Sequence, residues 1–476
     1  TIIMGDKGTG LQINAGSGSN TGTITLNNGG IGMAIKKNTT SSDGTIYNAS
    51  TAKLQNENII TINNANGSSG MYIEDGLANN LGGVINVNGI NTTTESSYGI
   101  RALNGKVLNS GEINMNVLLS GDLDSYGIYG DNATTVNNSG TITSVRKGTG
   151  IYTTSGSSTN SGKITMNGRG STGMASESGA ITNTDKGEIT VISGTGIKST
   201  SGQVINEGKV IITDGSASTG ISSGSSVINS GSISITGADS TGIAVEENGT
   251  ASNSGIITLT SNRNSTENFG MVSAGGDRAQ IENSGIITLN GYNYASSKEK
   301  GYGMSIGDGQ AINNNMITIN QMYGYGMAST TGTLTNNGDI TLTNGGYGIK
   351  GESGESFNSE GGTIIITGTP VLESSYGMAM EDGTAKNFGK IDVTGSTTND
   401  ATYGIYVNGG NGINHNQIDM RSDNAYGIFD AASGDGAITN FAGAVINLHG
   451  NNSTGMQSSG NKAENYGTIN IGVNNG

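Results

Sequence analysis

Short apolar segments with a period of two recur along the whole chain. The first half of each repeat reads Asn-x-Gly-x-Ile-x-(Ile/Leu/Met/Val), with clear copies at residues 160–166, 229–235 and 465–471. The second half is Gly-(Ile/Met), and a weaker apolar position precedes each repeat asparagine. Alternation of apolar and polar residues between Gly, Asn and Ser turn signals is typical of short strands and not of helices. The pattern therefore predicts three short strands in every repeat.

The spacing of the repeats predicts how these strands are arranged. Between Gly127 and Gly242 the Gly-(Ile/Met) pairs recur every 22–24 residues. Three strands and three corners in that length make one turn of a parallel β-helix, in which stacking of turns buries the apolar faces. We expect an all-β chain, a single right-handed parallel β-helix over residues 1–476, with about 17 turns of roughly 23 residues each.

Two polar positions of the repeat have predicted roles. The repeat asparagine is expected to form an internal ladder of side-chain amides from turn to turn. The glycine two residues later is expected at a corner with positive φ, a conformation that asparagine tolerates better than most residues. Asparagine replaces this glycine at positions 58, 315 and 416, which agrees with that hypothesis.

The residue before Gly-(Ile/Met) is aromatic in two stretches. An aromatic stripe could grip sugar rings or a protein, whereas a column of stacked rings that fills a corner is the favoured interpretation. Along the chain the residue is Tyr at 98 and 126, Thr at 149, 172, 195, 219 and 241, Phe at 269, Tyr at 302, 325, 347, 376, 403 and 426, and Thr at 454.

Several turns are longer than the minimum, and they indicate where a ligand could bind. The extra residues enter at one point of the repeat, so we expect them on one edge, the loop edge, where solenoids commonly bind. Solvated loops without a function are the alternative. The segments are 88–98, 116–125, 260–268, 290–301, 367–375 and 394–402, with a further insertion, 36–54, at a different corner.

These lengths separate a minimal shaft, 127–242, from loop-bearing turns at 80–126 and 253–403. The richest segment, 290–301, contains two tyrosines and two lysines before its last residue. The predicted binding residues of the loop edge are Tyr292, Tyr294, Lys298, Lys300, Tyr302, Tyr376 and Tyr403.

Composition narrows the classes of function. The net charge is −15, and an acidic surface repels phosphate backbones, so nucleic acid is not an expected partner. The absence of cysteine excludes disulfides, Cys-ligated zinc and thiol catalysis. No apolar run reaches 18 residues, so we expect no membrane span. No nucleotide or metal fingerprint occurs, so we expect no cofactor.

Few residues of the sequence are suited to catalysis. The histidines are His415 and His449, without the surroundings of a nucleophilic triad, and His415 is interpreted as an exposed corner residue. Asp392 and Asp419 fall on one outward column with basic residues nearby. They are weak candidates for a Ca²⁺ site or an acid/base pair, and neutralisation by the basic neighbours is the favoured interpretation. We therefore predict that the chain is not an enzyme.

The serial Asn-x-Gly-x-Ile-x units with Gly-(Ile/Met) corners resemble the passenger region of bacterial type V autotransporters. The composition, rich in Ile and Asn and poor in Pro, is similar to that of fusobacterial outer-membrane adhesins. The resemblance covers essentially the whole chain. It implies display on the bacterial surface and binding to a surface protein or glycan of host or other bacterial cells.

The same resemblance implies parts outside this sequence. Such proteins are exported and anchored by a C-terminal outer-membrane β-barrel, which we expect beyond Gly476. The start at Thr1, without an initiator Met or signal peptide, fits a fragment of a longer protein. Two alternatives stay open: a polysaccharide-cleaving β-helix enzyme that uses Asp392 and Asp419, and a purely structural extracellular fibre subunit.

Overall fold

The computed structural model describes residues 1–37, 48–91, 95–119, 125–263, 267–292, 299–320, 322–368, 374–395, 401–432 and 436–472. The chain divides into two compact units. The N-unit comprises residues 1–227 and 231–233, and the C-unit comprises residues 228–230 and 234–476. The predicted continuity of one domain, with its shaft and loop-bearing turns, stays a prediction.

Each turn contains three strands, which we name after their repeat residue. An Asn strand ends at the repeat asparagine, an Ile strand follows it, and a Gly strand contains Gly-(Ile/Met). Strands of one type pair in parallel from turn to turn. For example, Thr149 pairs with Thr172 and Thr172 with Thr195, and each pair is 23 residues apart in the chain. The predicted fold, an all-β, right-handed parallel β-helix of about 17 turns, is confirmed.

In the N-unit the two long strands Lys163–Ser176 and Glu188–Ser199 each join an Ile strand to the following Gly strand. A 3₁₀ helix covers Ala49–Thr51. The other Ile strands are Ile2–Met4, Thr23–Leu26, Ile59–Ile62, Val84–Asn91, Glu112–Leu119, Thr141–Ser144 and Lys209–Ser216. The other Gly strands are Gly8–Ile13, Gly30–Ile35, Ser69–Ile73, Tyr98–Ala102, Ser125–Gly130, Gly148–Thr153 and Thr219–Ser223. The Asn strands are Ser17–Asn20, Lys53–Asn56, Leu77–Asn80, Lys106–Asn109, Thr135–Asn138, Ser158–Asn160, Ile181–Asn183 and Val204–Asn206.

Two strands contain the boundary between the units, the Asn strand Ser226–Asn229 and the Ile strand Ser232–Ala238. In the C-unit the Ile strands are Ile256–Thr260, Ile286–Asn290, Met316–Asn320, Asp339–Leu342, Thr363–Ile366, Lys390–Val393, Gln417–Met420, Val445–Leu448 and Thr468–Ile471. The Gly strands are Thr241–Val245, Glu267–Ser273, Lys300–Ile306, Tyr323–Ser329, Gly346–Gly351, Ser375–Met380, Thr402–Val407, Ala425–Asp430 and Thr454–Ser458. The Asn strands are Thr250–Asn253, Gln280–Asn283, Gln310–Asn313, Thr333–Asn336, Glu355–Asn358, Thr384–Asn387, Asn411–Asn414, Ala437–Asn440 and Lys462–Asn465.

The core of each unit consists of aliphatic columns. In the N-unit Ile113, Ile142 and Ile164 occupy one register position of successive Ile strands, and all are fully buried. In the C-unit Ile287 and Ile317 do the same. Full burial of one such side chain contributes roughly 2 kcal/mol, so stacking of turns supplies the stability that a single turn lacks.

The repeat asparagines form the predicted internal ladder. In the N-unit, for example, Asn109 Nδ2 donates to Asn138 Oδ1 over 2.7 Å, and Asn138 Nδ2 donates to Asn160 Oδ1 over 2.8 Å. The C-unit contains the same series from Asn229 to Asn465, with donor–acceptor distances of 2.7–2.9 Å. Because these side chains, apart from the exposed Asn465, are almost fully buried, each amide satisfies its neighbour where water does not reach.

The predicted reason for the glycine after the repeat asparagine is wrong. Gly111, Gly140 and Gly162 do not have positive φ, and neither do the asparagines at 58, 315 and 416. A Cβ on Gly140 would instead lie against the carbonyl oxygen of Gly111 in the preceding turn. Glycine is therefore used here for close stacking of turns. Asn315 stands in place of this glycine, and its Nδ2 donates to the Ser284 carbonyl of the preceding turn over 3.1 Å.

The glycine of Gly-(Ile/Met) also permits a close approach. A Cβ built on Gly150 would lie 2.5 Å from the carbonyl oxygen of Gly173 in the next turn and 2.5 Å from Cγ2 of the core residue Ile164. Gly303 of the C-unit has the equivalent neighbours, Gly326 and Ile317. This glycine and the following Ile or Met build the core, so the residue before it can change without altering the repeat.

Candidate functional site

An aromatic column on the Gly strands is the most distinctive surface of the C-unit. Parallel pairing places the residue before each glycine directly over its equivalent in the next turn. The rings stack with centroid separations of 4.5–5.3 Å and interplanar angles of 1–18°. The C-column consists of Phe269, Tyr302, Tyr325, Tyr347, Tyr376, Tyr403 and Tyr426.

The stacked geometry decides which parts of the rings can meet a ligand. Inside the column each ring face is covered by the next ring, so the faces are closed to a ligand and only edges and hydroxyl groups remain. Aromatic edges carry partial positive charge, and phenol hydroxyls donate and accept hydrogen bonds. The interpretation of the aromatic residues as a stacked column is confirmed. The column favours ligands with oxygen acceptors over ligands that need an open ring face.

Burial keeps the phenol groups of Tyr403 and Tyr406 protonated. Burial raises the pKa of Tyr403 to about 12, with a further contribution from the neighbouring tyrosines Tyr376, Tyr426 and Tyr406. The pKa of Tyr406 is also raised, first by burial and then by the carboxylate of Glu381. These hydroxyls are therefore hydrogen-bond donors throughout the neutral and mildly alkaline range.

Two lysines flank the C-column at Tyr325. Lys300 Nζ lies 5.9 Å from the centroid of the Tyr325 ring. Lys350 Nζ lies 5.9 Å from the same centroid and 5.1 Å from that of Tyr347. Together with Tyr302, Ser305 and Glu352 they line a groove of about 250 Å³, which we call the lysine groove.

The structure brings together four of the seven predicted binding residues. Tyr302, Tyr376 and Tyr403 belong to the C-column, and Lys300 flanks it. Tyr292 is 56% exposed, and its backbone N–H donates to the buried carboxylate of Glu299 over 3.0 Å. Tyr294 and Lys298 lie outside the described residues, and their assignment to the site stays a prediction.

Tyr325, Tyr347 and Lys350 also belong to this surface but were absent from the predicted site. The two tyrosines occupy the same repeat position as Tyr302, so the register of the repeat alone could have included them. Lys350 follows Tyr347 by three residues in a turn without a long insertion. No pattern in the sequence singled it out.

Each predicted loop segment directly precedes an aromatic residue of a Gly strand. The six segments lead to Tyr98, Tyr126, Phe269, Tyr302, Tyr376 and Tyr403, whereas Thr149, Thr172 and Thr195 follow none of them. The central residues of these segments, and of 36–54, lie outside the described residues. In these six turns the inserted residues therefore lie immediately before the aromatic residue of the Gly strand.

The N-unit has a shorter aromatic cluster. Tyr98 stacks on Tyr126 at 5.5 Å, and Tyr129 stacks on Tyr152 at 5.3 Å, with edge contacts between the two rows. The Arg101 guanidinium lies 4.9 Å from the Tyr98 ring. The row of Tyr98 and Tyr126 in this N-cluster ends where Tyr126 pairs with Thr149 in the next turn.

The two aspartates considered for chemistry are held by basic and amide groups. Asp392 accepts from Arg421 Nε over 3.1 Å, and Lys390 Nζ lies 3.5 Å from a carboxylate oxygen of each aspartate. Asp419 is 3% exposed and also accepts from Gln417 and Asn447. The pKa of Arg421 is raised because it donates a hydrogen bond to Asp392. The favoured interpretation, neutralisation by basic neighbours, is confirmed. Among the described residues, no three Asp, Glu or His side chains converge as metal ligands.

His415 is half-buried and stacked between two rings, so it is not the exposed corner residue that the sequence predicted. Its ring is sandwiched between Phe388 and Phe441, with centroid separations of 4.4 and 4.2 Å. Burial and, second, the nearby Lys386 lower the pKa of His415. The neutral ring therefore acts as one more stacked aromatic group at this corner.

Part of the chain matches a known family model. Residues 147–277 match the family model described as BigA third pectate lyase-like domain. The matched segment is less than half of the chain, so it shows a similarity to that domain. No curated protein and no solved structure matches the chain. In the described part of the chain, no helix has the length and apolar character needed to span a membrane. The match suggests a bacterial surface protein built on a β-helix.

Proposed function

We propose that this chain is the adhesin passenger or stalk of a bacterial autotransporter, which binds host or other bacterial cells through the loop edge of the C-unit. The observation that carries the proposal is the C-column beside the lysine groove. Aromatic and cationic side chains line one edge there, and four of the predicted loop segments lead directly into it. Aromatic residues, tyrosine among them, are enriched at binding interfaces.

Catalysis is not part of the proposed function. Both carboxylates of the Asp392–Asp419 pair are engaged by Lys390 or Arg421, so neither is placed to hold a cation or to activate water. Incubation of the chain with a panel of polysaccharides, with and without Ca²⁺, is expected to release no product. Release of an oligosaccharide that is lost in Asp419→Asn would support the enzymatic alternative.

Adhesion of cells to the immobilised chain tests the binding role. The variant Tyr302→Thr/Tyr376→Thr/Tyr403→Thr gives three turns of the C-unit the residue that the chain itself has at 149, 172 and 195. We expect adhesion to fall about tenfold, because a few central aromatic residues supply most of the binding energy of an interface.

Tyr98→Thr/Tyr126→Thr is the matched control in the N-unit. It makes the same change in the N-cluster and is expected to keep adhesion within about twofold. Both variants must remain folded at the temperature of the assay, as circular dichroism shows. Unchanged adhesion of the triple variant, or an equal loss in the control, would contradict a binding surface in the C-unit. Absence of adhesion by the parent chain, with end-to-end polymers in electron micrographs, would favour the fibre alternative.

A further inference from the structure

The lysine groove has the dimensions and lining of a site for one unit of a polymer. Its volume of about 250 Å³ lies below the roughly 300–1,000 Å³ typical of pockets for drug-sized ligands. Tyr325 is 5% exposed and forms the floor, whereas Tyr302 and Tyr347 are half-buried on either side. A narrow recess over a nearly buried ring, open along the surface, fits a ligand that continues beyond it.

The groove has a local charge opposite to that of the chain. Lys300 and Lys350 line it with Glu352, which gives a formal charge of +1 in a chain of net charge −15. Among the described residues, neither lysine has a carboxylate within 4.0 Å. Two cations that bracket one aromatic ring without an ion pair are placed to receive an anion.

The backbone around the groove argues against a bound peptide strand. The Gly strand Tyr323–Ser329 pairs on one side with Lys300–Ile306 and on the other with Gly346–Gly351. No free sheet edge is therefore available at the groove for strand addition. The remaining lining contributes hydroxyls from Ser305 and Thr330, which suit a polyhydroxylated ligand.

We propose that the lysine groove binds an acidic saccharide, a glycan unit that carries a carboxylate or a sulfate group. The anionic group lies between the ammonium groups of Lys300 and Lys350, and the sugar hydroxyls meet the hydroxyl groups of the lining and the carboxylate of Glu352. This proposal rests on the proposed surface-binding function and names the ligand class for the same edge.

Binding of defined saccharides to the full chain tests this site. The probes are heparin oligosaccharides, hyaluronan oligosaccharides, neutral cello-oligosaccharides and polyglutamate, measured by calorimetry at low and at physiological salt. We expect at least one acidic saccharide to bind, with lower affinity at higher salt, and the neutral one not to bind. Lys300→Gln and Lys350→Gln are each expected to weaken binding about tenfold.

Lys386→Gln is the matched control. Lys386 lies 5.0 Å from the Phe357 ring on the Asn strands of the same unit and is ion-paired with Glu355 over 3.1 Å. The same charge is removed, yet binding is expected to stay within about twofold. An equal loss in Lys386→Gln, tighter binding of polyglutamate, or no binding of any acidic saccharide would each overturn the proposal.

The outcome separates this proposal from the proposed function. Survival of both saccharide binding and cell adhesion in Lys300→Gln/Lys350→Gln would overturn the saccharide proposal and leave the adhesive role standing. Saccharide binding lost in that double variant, without any adhesion of cells to the parent chain, would support the groove and overturn the adhesive role.

Discussion

The two units share one backbone repeat but carry different aromatic surfaces. In the N-unit the Gly strands place Tyr98 and Tyr126 in register and then change to threonine at Thr149. In the C-unit seven rings continue from Phe269 to Tyr426. The internal amides and the close-stacked glycines are the same in both. The comparison shows that the fold depends on the inner positions, which leaves the position before the glycine free to determine the surface.

The largest effect is expected where the units are alike. Gly150→Ala in the N-unit and Gly303→Ala in the C-unit both place a Cβ against a carbonyl oxygen and a core isoleucine. Overpacking of this kind costs about 2 kcal/mol, so each variant should lower the free energy of unfolding by about that amount in urea titrations.

Gly5→Ala is the control for this pair, because nothing lies within 4 Å of a Cβ at Gly5 and its φ is not positive. We expect a change of less than about 0.5 kcal/mol. A large loss in Gly303→Ala with none in Gly150→Ala would show that the two units do not rely on the same close stacking.

Some features of the two units were predictable from the sequence and others were not, depending on the residue that carries them. The strands, the amide ladder and the aromatic columns were predictable, because each places one residue type at a fixed repeat position, as Asn138 and Tyr325 do. The role of the glycine after the asparagine was mistaken, since a glycine chosen for φ and one chosen for close stacking look identical in sequence. Lys350 was missed because a side chain that reaches a neighbouring turn has no periodic signal.

A smaller effect should separate the two aromatic surfaces. Tyr347→Thr removes a ring that contacts three aromatic rings, whereas Tyr98→Thr removes a ring that contacts two. Each aromatic pair contributes roughly 1 kcal/mol, so Tyr347→Thr should be more destabilising by about that amount. Urea titration of both variants, with Tyr347→Phe as the control that keeps the stack, checks this expectation. Equal losses of unfolding free energy would mean that the additional ring contact of Tyr347 does not contribute to stability.

The last expected effect on stability is almost absent at neutral pH and appears only at alkaline pH. Burial raises the pKa of Tyr403 to about 12 from an ordinary pKa of 10.0, so folding favours the protonated phenol. The stabilisation is complete below pH 10 and is lost as the pH rises through about 12. Tyr403→Phe should make unfolding less dependent on pH in that window and leave stability at neutral pH nearly unchanged. An unaltered pH dependence of thermal melting in the variant would contradict this assignment.

The amide ladder gives each unit a direction. Within each unit the repeat asparagines donate from Nδ2 to the asparagine of the next turn, as from Asn283 to Asn313 and from Asn313 to Asn336. The dipoles of these amides therefore add along the series, and each bond strengthens the next. A chain that winds from its N-terminal end offers every new turn an N–H donor that the previous turn has already oriented. The two sides of a turn therefore differ: its C-terminal side presents an oriented N–H donor, and its N-terminal side presents an oriented carbonyl acceptor.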